Sequence, residues 1–206
     1  MTSAARGASD HRGGEGTARP YTSADMRDAS RPDVIIRPAT PDDAVAISRI
    51  RADAWRTVYR RIVPDEILDA IDVERWADRM RPTLATPGSD RVHLVAQDQD
   101  ADVVGFVLAG KERSGDPDHE GEVELIYVTP SLHRRGIGRI LMRETAREMR
   151  AQGMRSMLLW TLRDNPRSRA FYERLGGRAL REEYREWIRA YEVAYGWPDI
   201  AALIEG

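Results

Sequence analysis

The run Tyr127-Val-Thr-Pro-Ser-Leu-His-Arg-Arg-Gly-Ile-Gly-Arg-Ile-Leu141 predicts three consecutive elements: the end of a strand, a tight turn rich in arginine and glycine, and the start of an amphipathic helix. Residues 122–128 are rich in β-forming types, and Pro130 ends the strand. After Gly138 the apolar residues recur at helical spacing, and Gly153 is placed to end the helix.

The turn has the features of an anion site. A helix that begins among glycines exposes unpaired backbone N–H groups and the positive end of its dipole. Glycines also let a phosphate approach the backbone without meeting a Cβ. A P-loop is excluded because the chain has no Gly-Lys-Ser/Thr, its only lysine being Lys111. A dinucleotide fingerprint is excluded because Leu141 stands where the third glycine is required.

Composition excludes several classes of protein. The chain has no cysteine, which rules out disulfides, thiolate zinc sites and a cysteine nucleophile. Its net charge of −2 gives no general attraction to nucleic acid. No apolar run approaches a membrane span, and the N-terminus lacks the apolar core of a signal peptide. We therefore expect a cytoplasmic protein with no metal site and no nucleic-acid or membrane partner.

The chain divides into three parts by composition. Residues 1–32 contain almost no aliphatic side chains, so they cannot bury enough apolar area to offset the entropy of ordering, and we expect a disordered leader. Residues 33–200 carry the periodic patterns of one domain, and residues 201–206 are assigned to a C-terminal tail.

Local patterns predict most of the elements. In chain order these are a strand at 34–38, a helix from Thr40, a second helical stretch from Pro64 to Met80, a turn at 87–90, an antiparallel hairpin of strands 92–96 and 103–109, an exposed loop at 110–119, a strand at 122–128, a helix from Gly136, a buried strand at 157–162, and a helix from Asn165 to Gly176. The segment 178–197 suits a helix by its charge and strands by its aromatic residues.

Two motifs in this order resemble those of the GNAT superfamily of N-acetyltransferases. Its pyrophosphate pattern Gln/Arg-x-x-Gly-x-Gly/Ala resembles His133-Arg-Arg-Gly-Ile-Gly138, which follows the strand end Ile126-Tyr-Val-Thr-Pro130. Its second motif resembles Asn165-Pro-Arg-Ser-Arg-Ala-Phe-Tyr-Glu-Arg-Leu-Gly176. Two departures are His133, where the family has Gln or Arg, and Gly177, where it has an aromatic residue.

The resemblance covers roughly residues 34–197 and implies an α/β fold of the GNAT type. The central sheet should be mixed and mostly antiparallel, splayed between its fourth and fifth strands, and flanked by about four helices. It also favours two antiparallel strands, at 179–187 and 191–197, for the ambiguous segment. The slot between the splayed strands is implied to take acetyl-CoA as cosubstrate, with the pantetheine arm added beside the fourth strand.

The resemblance assigns acetyl-CoA binding to the end of that strand, the turn after it and the start of the second motif. The residues are Tyr127, Val128, His133, Arg134, Arg135, Gly136, Ile137, Gly138, Arg139, Asn165 and Arg169. The arginine side chains are equally explained as solvated charges, and helix capping alone would account for Asn165.

The resemblance also assigns the chemistry. Tyr172 matches a tyrosine that lies beside the CoA sulfur and serves as general acid. Glu122 stands eleven positions before His133, where several family members place a base. Glu124 is the alternative, because it points to the same face of the strand as Glu122, and a water relay stays open. We expect His119 to lie at the surface and His93 to be structural.

The function implied is direct transfer of an acetyl group to a primary amine of a small molecule or peptide. The N-terminal helices and the final hairpin would build the acceptor pocket, with Trp55, Tyr59, Tyr184 and Trp187 as candidate lining residues. These aromatics equally suit core packing or a homodimer contact. The alternative function is a catalytically silent acyl-CoA-binding regulatory module on the same fold, and the residues do not identify the acceptor.

Overall fold

The computed structural model describes residues 33–86 and 90–205 of the protein. Its strands are β1 (Ile35–Pro38), β2 (Arg91–Gln97), β3 (Val103–Lys111), β4 (Gly121–Val128), β5 (Met157–Leu162), β6 (Arg178–Arg185) and β7 (Ala190–Trp197). Its helices are α1 (Ala44–Val58), α2 (Asp65–Asp69), α3 (Val73–Ala85), α4 (Ile137–Ala151), α5 (Pro166–Arg174) and α6 (Ala201–Glu205). The expected leader at 1–32 and most of the expected turn at 87–90 lie outside the described residues.

All strands form one sheet in the order β1-β2-β3-β4-β5-β7-β6. Among these described strands, β4 and β5 form the only parallel pair. The predicted hairpin of β2 and β3 is confirmed, with a turn closed by a hydrogen bond from the Asp98 N–H to the Asp102 carbonyl oxygen. The ambiguous segment forms the two antiparallel strands β6 and β7, as the family resemblance predicted.

Helices cover both faces of the sheet. The apolar face of α4 packs with β2, β3, β5 and β7 in the larger core, where Leu141, Met142 and Met149 are fully buried. On the opposite face α1 and α3 pack over β2 and β3, with Ile47 at the centre. A third cluster joins α1, α2 and the β6–β7 turn around Trp55. The predicted mixed sheet with four helices of nine residues or more is therefore confirmed, and two short helices are added.

Two segments differ from the local predictions. The helical stretch expected from Pro64 to Met80 is two helices, because Asp72 adopts an extended conformation and accepts the N-cap hydrogen bond of α3 from the Arg75 N–H. Part of the expected tail forms α6, which packs on α4 and buries Leu203. No described helix is long and apolar enough to span a lipid bilayer.

The parallel pair β4–β5 separates partway along its length. Only Gly121–Val123 of β4 pair with Met157–Leu159 of β5. Beyond that point β4 runs on to Val128 beside β3, and β5 continues to Leu162 beside β7. The predicted splay between the fourth and fifth strands is confirmed, and it leaves a gap whose strand edges carry unpaired backbone groups.

Candidate functional site

The β4–β5 gap opens toward the turn that joins β4 to α4. Arg134 and Gly136 in this turn have left-handed φ angles of 65° and 87°. The first helical hydrogen bond of α4 runs from the Ile140 N–H to the Gly136 carbonyl oxygen, 3.1 Å. The preceding amides therefore project from the helix start without intrahelical partners, beside the gap. These exposed amides are the kind of backbone group that an anion site uses, and the anion site stays a prediction.

The two motif glycines serve different purposes. Gly136 supplies the left-handed conformation at the N-cap of α4, which L side chains rarely adopt. A Cβ at Gly138 would lie 3.2 Å from Phe171 Cζ, so this glycine also lets α4 and α5 approach closely. The two family motifs therefore contact each other directly. Arg134, Arg135 and Arg139 are exposed, and none forms a salt bridge with another described residue.

His133, the irregular residue of the motif, contacts β4. Its Nε2 donates to the carbonyl oxygen of Val128 at 2.9 Å. The ring thus satisfies one backbone acceptor at the end of the strand, which the resemblance assigned to the pantetheine arm.

A cavity of about 290 Å³ lies at the open end of the gap, between the end of α1, the turn after β4 and the start of α5. Val58, His133 and Asn165 line it, one from each of these three elements. A larger groove of about 590 Å³ lies between β1, β2 and α4 and contains none of the predicted site residues. The smaller cavity is the better candidate site because it adjoins both motifs.

Asn165 and Arg169 take part in structural contacts at the start of α5. Asn165 is 3% exposed; its Oδ1 accepts from the Ser168 N–H, and its Nδ2 donates to Ser168 Oγ. Arg169 donates to Tyr195 Oη at 3.2 Å and to the Arg163 carbonyl oxygen at 3.3 Å. Helix capping thus accounts for Asn165 in this structure, and Arg169 ties α5 to β7.

Tyr172 is 7% exposed and packs with Phe171, Tyr195 and Trp197 on the α4 side of the sheet. Burial raises the pKa of Tyr172 above its usual range, and the nearby Tyr127 raises it further. Tyr127 belongs to the clusters on the opposite side of the sheet. The two side chains can influence each other because β4 and β5 have parted between them.

Glu122 and Glu124 are partly buried on β4. Val123 points into the core under α4, so Glu122 faces the other side, toward α1. Arg113 links the two carboxylates: its N–H donates to Glu122 Oε2 at 3.3 Å, and its Nη2 lies 2.6 Å from Glu124 Oε2. Burial raises the pKa of Glu122, and the Arg113 contacts offset this in part.

The register of β3 and β4 shifts where Leu108 and Ala109 oppose Leu125 and Val123. Glu124 is therefore the extra residue of a β-bulge, without a direct cross-strand partner. Such bulges bend a strand and re-aim its side chains, which here occurs where β4 leaves β5.

Three of the four predicted pocket aromatics lie together near the gap. Trp55 contacts Tyr59 and Trp187, with ring centroids 5.3 and 5.8 Å apart. Tyr184 packs on Tyr191 instead. Tyr127, predicted only as a cofactor contact, belongs to the same group, because its hydroxyl accepts from Trp55 Nε1 at 2.9 Å. No local pattern could have indicated this contact, because the two residues are 72 positions apart.

The expectation that His119 is a surface residue was wrong. It is 9% exposed, and its Nδ1 lies 2.7 Å from Asp116 Oδ1. The ring covers Gly196, where a Cβ would lie 2.4 Å from the His119 Nε2. Arg181 contacts the same carboxylate from β6, so the β3–β4 loop is fastened to the sheet.

Residues 48–177 match the model of the acetyltransferase (GNAT) family. The chain is 32% identical over 172 residues to the uncharacterized N-acetyltransferase YuaI of Bacillus subtilis, which covers 82% of this chain and 96% of that protein. PaiA N-acetyltransferase of Thermoplasma acidophilum, solved with coenzyme A, has a TM-score of 0.63 at 18% identity, covering 80% of this chain and 99% of that chain. YncA of Salmonella typhimurium, solved with acetyl-CoA, has a TM-score of 0.58 at 23% identity, covering 80% and 92%. Likeness to these two structures shows the fold.

Proposed function

The chain belongs to the acetyltransferase (GNAT) family of N-acetyltransferases, and we propose that it moves an acetyl group directly from acetyl-CoA to a primary amine of a small molecule or peptide. The observation that carries this proposal is the separation of β4 from β5 after Val123, beside a turn of exposed amides at the start of α4. In the proposal the gap takes the extended arm of acetyl-CoA, the amides at its mouth take the pyrophosphate, and Tyr172 serves as the proton donor.

The turn after β4 is suited to the pyrophosphate of acetyl-CoA. Gly136 holds its left-handed φ of 87° without a Cβ, and the amides from Arg134 to Arg139 stand at the positive end of the α4 dipole. The exposed side chains of Arg134, Arg135 and Arg139 add positive charge around them. In the slot, the edge of β4 beyond Val123 offers backbone groups to the pantetheine amides, and an arm that binds at Val128 would share its carbonyl with His133 or displace it.

We infer direct transfer because the sequence contains no cysteine, the residue that usually serves as the nucleophile of an acetyl-enzyme. Acetyl-CoA and the amine then bind together, and the amine nitrogen attacks the thioester carbonyl carbon. After the amine has lost a proton to the base, the tetrahedral intermediate collapses to the amide, and the departing sulfur takes a proton from Tyr172, so that CoA leaves as a thiol.

Glu122 is the base in this proposal, directly or through a water molecule. Its carboxylate faces the α1 side of β4, and burial raises its pKa, which makes it a stronger base than an exposed glutamate. Glu124 is held by an ion pair with the Arg113 guanidinium at 2.6 Å, so its carboxylate is less free to approach an amine than that of Glu122.

Tyr172 is the general acid. Burial raises the pKa of Tyr172, so its hydroxyl stays protonated at neutral pH and can donate to the departing sulfur. Its ring is fixed by Phe171, Tyr195 and Trp197, which limits the motion of the hydroxyl and favours reaction geometry.

Replacing Tyr172 with Phe tests the proposal because it removes the hydroxyl and keeps the ring. We expect turnover to fall about 10²–10³-fold while the acetyl-CoA dissociation constant, measured by calorimetry, stays within about two-fold. The matched control is Tyr184→Phe on β6, which should change neither quantity. Binding of acetyl-CoA by the wild-type protein without transfer to any amine would indicate a catalytically silent acyl-CoA-binding module instead.

A further inference from the structure

One arginine between α1 and α3 lies in a corner formed by two tryptophan rings. The Arg51 guanidinium carbon is 4.3 Å from the centre of the Trp76 ring and 5.5 Å from the centre of the Trp55 ring. The two rings are 5.9 Å apart and nearly perpendicular, with an angle of 75° between their planes. The indoles therefore contact the guanidinium from two sides, and such contacts attract a cation without neutralising its charge.

No counterion accompanies this charge within the described part of the chain. Arg51 is partly buried, it forms no salt bridge or side-chain hydrogen bond with another described residue, and its Nε is buried without a partner. Its Nη1 and Nη2 are not buried in this way, so the outer edge of the guanidinium is open to solvent. Because an unpaired donor of a charged group is costly to bury, a ligand that accepts from Arg51 would gain from binding here.

Two other arginines show how a stacked guanidinium is completed in this protein. Arg181 and Arg185 both lie over the ring of Trp160. Both pair with the carboxylate of Glu183, at 3.3 and 2.8 Å. The ring occupies a face of the guanidinium and leaves the in-plane N–H groups for a carboxylate. Arg51 has the stacking and lacks the carboxylate among the described residues.

Trp55 connects this corner to the β4–β5 gap. Its Nε1 donates to Tyr127 Oη at 2.9 Å, and Tyr127 lies on the part of β4 that no longer pairs with β5. One indole ring therefore separates the Arg51 guanidinium from the α1 side of the gap. An acceptor whose amine lies in the gap reaches Arg51 by extending along this ring.

We propose that Arg51 binds a carboxylate of the acceptor, so that the amine acetylated by this protein carries a carboxylate at its other end. The inference rests on the proposed function and narrows its acceptor class. The planar guanidinium matches a planar carboxylate through two parallel hydrogen bonds from Nη1 and Nη2. Trp55 and Trp76 already fix the guanidinium, so little side-chain freedom is lost on binding. A cationic end group, as in a diamine, is repelled at this position.

The test compares primary amines that differ only in the charge of the distant end. One set consists of 4-aminobutyrate, 4-aminobutanamide and 1,4-diaminobutane, and shorter and longer sets cover other distances between the two ends. The release of CoA at saturating acetyl-CoA gives kcat and KM for each compound. We expect the acid to exceed its amide in kcat/KM about ten-fold or more in at least one set, and the diamine to be the poorest acceptor of that set.

Arg51→Met removes the charge and keeps an unbranched stem beside the indoles. We expect it to raise the KM for the acid about ten- to hundred-fold and to leave kcat/KM for the amide and the acetyl-CoA dissociation constant within about two-fold. Arg49→Met, at an exposed position of the same helix, is the matched control and should change none of these values. Arg51→Lys keeps the charge without the planar fork, so it should lose an intermediate part of the preference, and it continues the test if Arg51→Met fails to fold.

Two results would overturn the inference. One is a wild-type protein that acetylates the amides, the diamines or other amines without a carboxylate at least as well as the acids. The other is an equal loss for acid and amide in Arg51→Met, which would make Arg51 a structural link between α1 and α3. A wild-type protein that binds acetyl-CoA and releases no CoA with any amine contradicts the proposed function itself, which distinguishes the two failures.

Discussion

Burial of Glu122 makes its carboxylate a better base and lowers the stability of the folded protein when that carboxylate is charged. Burial raises the pKa of this carboxyl, so the folded protein binds its proton more tightly than the unfolded chain does. Its contribution to stability is full below the unfolded pKa of about 4.3 and is lost as the pH rises through the higher folded value. At neutral pH the charged Glu122 carboxylate therefore lowers the free energy of unfolding.

We predict that Glu122→Gln lowers kcat/KM at pH 7.5 about 10²–10³-fold and removes the acid limb of the pH profile. In the wild-type protein that limb should lie above the ordinary glutamate pKa, because burial raises the value for Glu122. The melting temperature at pH 7.5 should not fall, since the neutral amide removes a buried charge. Steady-state rates and calorimetric melts measure both.

Glu124→Gln is the comparison for the base, because it alters the neighbouring carboxylate that Arg113 already neutralises. Its kcat/KM should fall less than that of Glu122→Gln. A larger loss in Glu124→Gln, with the acid limb intact in Glu122→Gln, would transfer the role to Glu124.

The sequence motifs predict candidate roles for single residues, but they do not predict contacts between residues that are distant in sequence. The family pattern indicates Tyr172 and Glu122 as candidates; in the structure Tyr172 is buried on the α4 side of the sheet, and Glu122 lies on the part of β4 that still pairs with β5. The bond between Trp55 and Tyr127 and the burial of His119 depend on residues distant in sequence. Periodicity carries no information about such pairs, because it reports only which face of an element is apolar.

At the scale of elements, the start of α4 combines a sharp turn with an anion site. Both Gly136 and Gly153, at the two ends of this helix, have positive φ, at 87° and 90°. The backbone cost of adding a Cβ is therefore similar at the two positions, roughly 1 kcal/mol. Only Gly136 adjoins the amides proposed to contact the pyrophosphate.

Gly136→Ala should weaken acetyl-CoA binding about ten-fold or more, because the strained turn shifts its amides and the new methyl group obstructs phosphate approach. Gly153→Ala should destabilise the protein to a similar extent and leave acetyl-CoA affinity unchanged. Titration calorimetry and thermal unfolding of both variants separate the two effects. Equal affinity in the two variants would place the pyrophosphate elsewhere.

The β3–β4 loop depends on one buried carboxylate. Burial alone would raise the pKa of Asp116, but hydrogen bonds from His119 and Arg181 outweigh it and lower the pKa to about 2. A lowered pKa means stability that is present above the unfolded value of about 3.9 and is lost as the pH falls through the folded value. The loop carries Arg113, which contacts Glu122 and Glu124, so its order affects the site.

Asp116→Asn should therefore lower the free energy of unfolding at pH 7 by about 1.5–3 kcal/mol, the usual worth of hydrogen bonds to a charged group. The difference from wild type should shrink below about pH 4 and vanish near the folded pKa of about 2. Denaturant unfolding at a series of pH values measures it. Asp118→Asn, at an exposed position of the same loop, is the control, and an equal effect there would refute the role of Asp116.

Elements with strong local patterns were predicted well. The structure has β4 and β5 where β-forming and apolar residues predicted strands, and α4 and α5 where motif glycines and capping residues predicted helices. The break between α2 and α3 was missed because the apolar spacing continues across it, while the Asp72 cap that interrupts the helix is a weak signal. The helix α6 is too short for periodicity and is stabilised by its packing on α4.

At the scale of the whole molecule, the described strands form one continuous sheet in which the pairing of β4 with β5 stops after Val123. Antiparallel neighbours hold β4 and β5 on their outer sides, so the two strands can part without unfolding either half. The gap lies between side chains of the two faces of the sheet, Tyr172 in the core under α4 and Tyr127 in the clusters on the α1 side. No segment of the sequence read alone predicts this arrangement; it follows from the topology.

The central claim is that this gap carries direct acetyl transfer from acetyl-CoA to an amine. The most direct measurement is release of free CoA by the wild-type protein over a panel of small amines, aminoglycosides, polyamines and N-terminal peptides, with the acetylated product identified by mass spectrometry. The account predicts CoA release that requires an amine, equals the acetylated product mole for mole and falls sharply in Tyr172→Phe. Release of CoA independent of every amine, or an acetylated form of the protein itself as an intermediate, would contradict it.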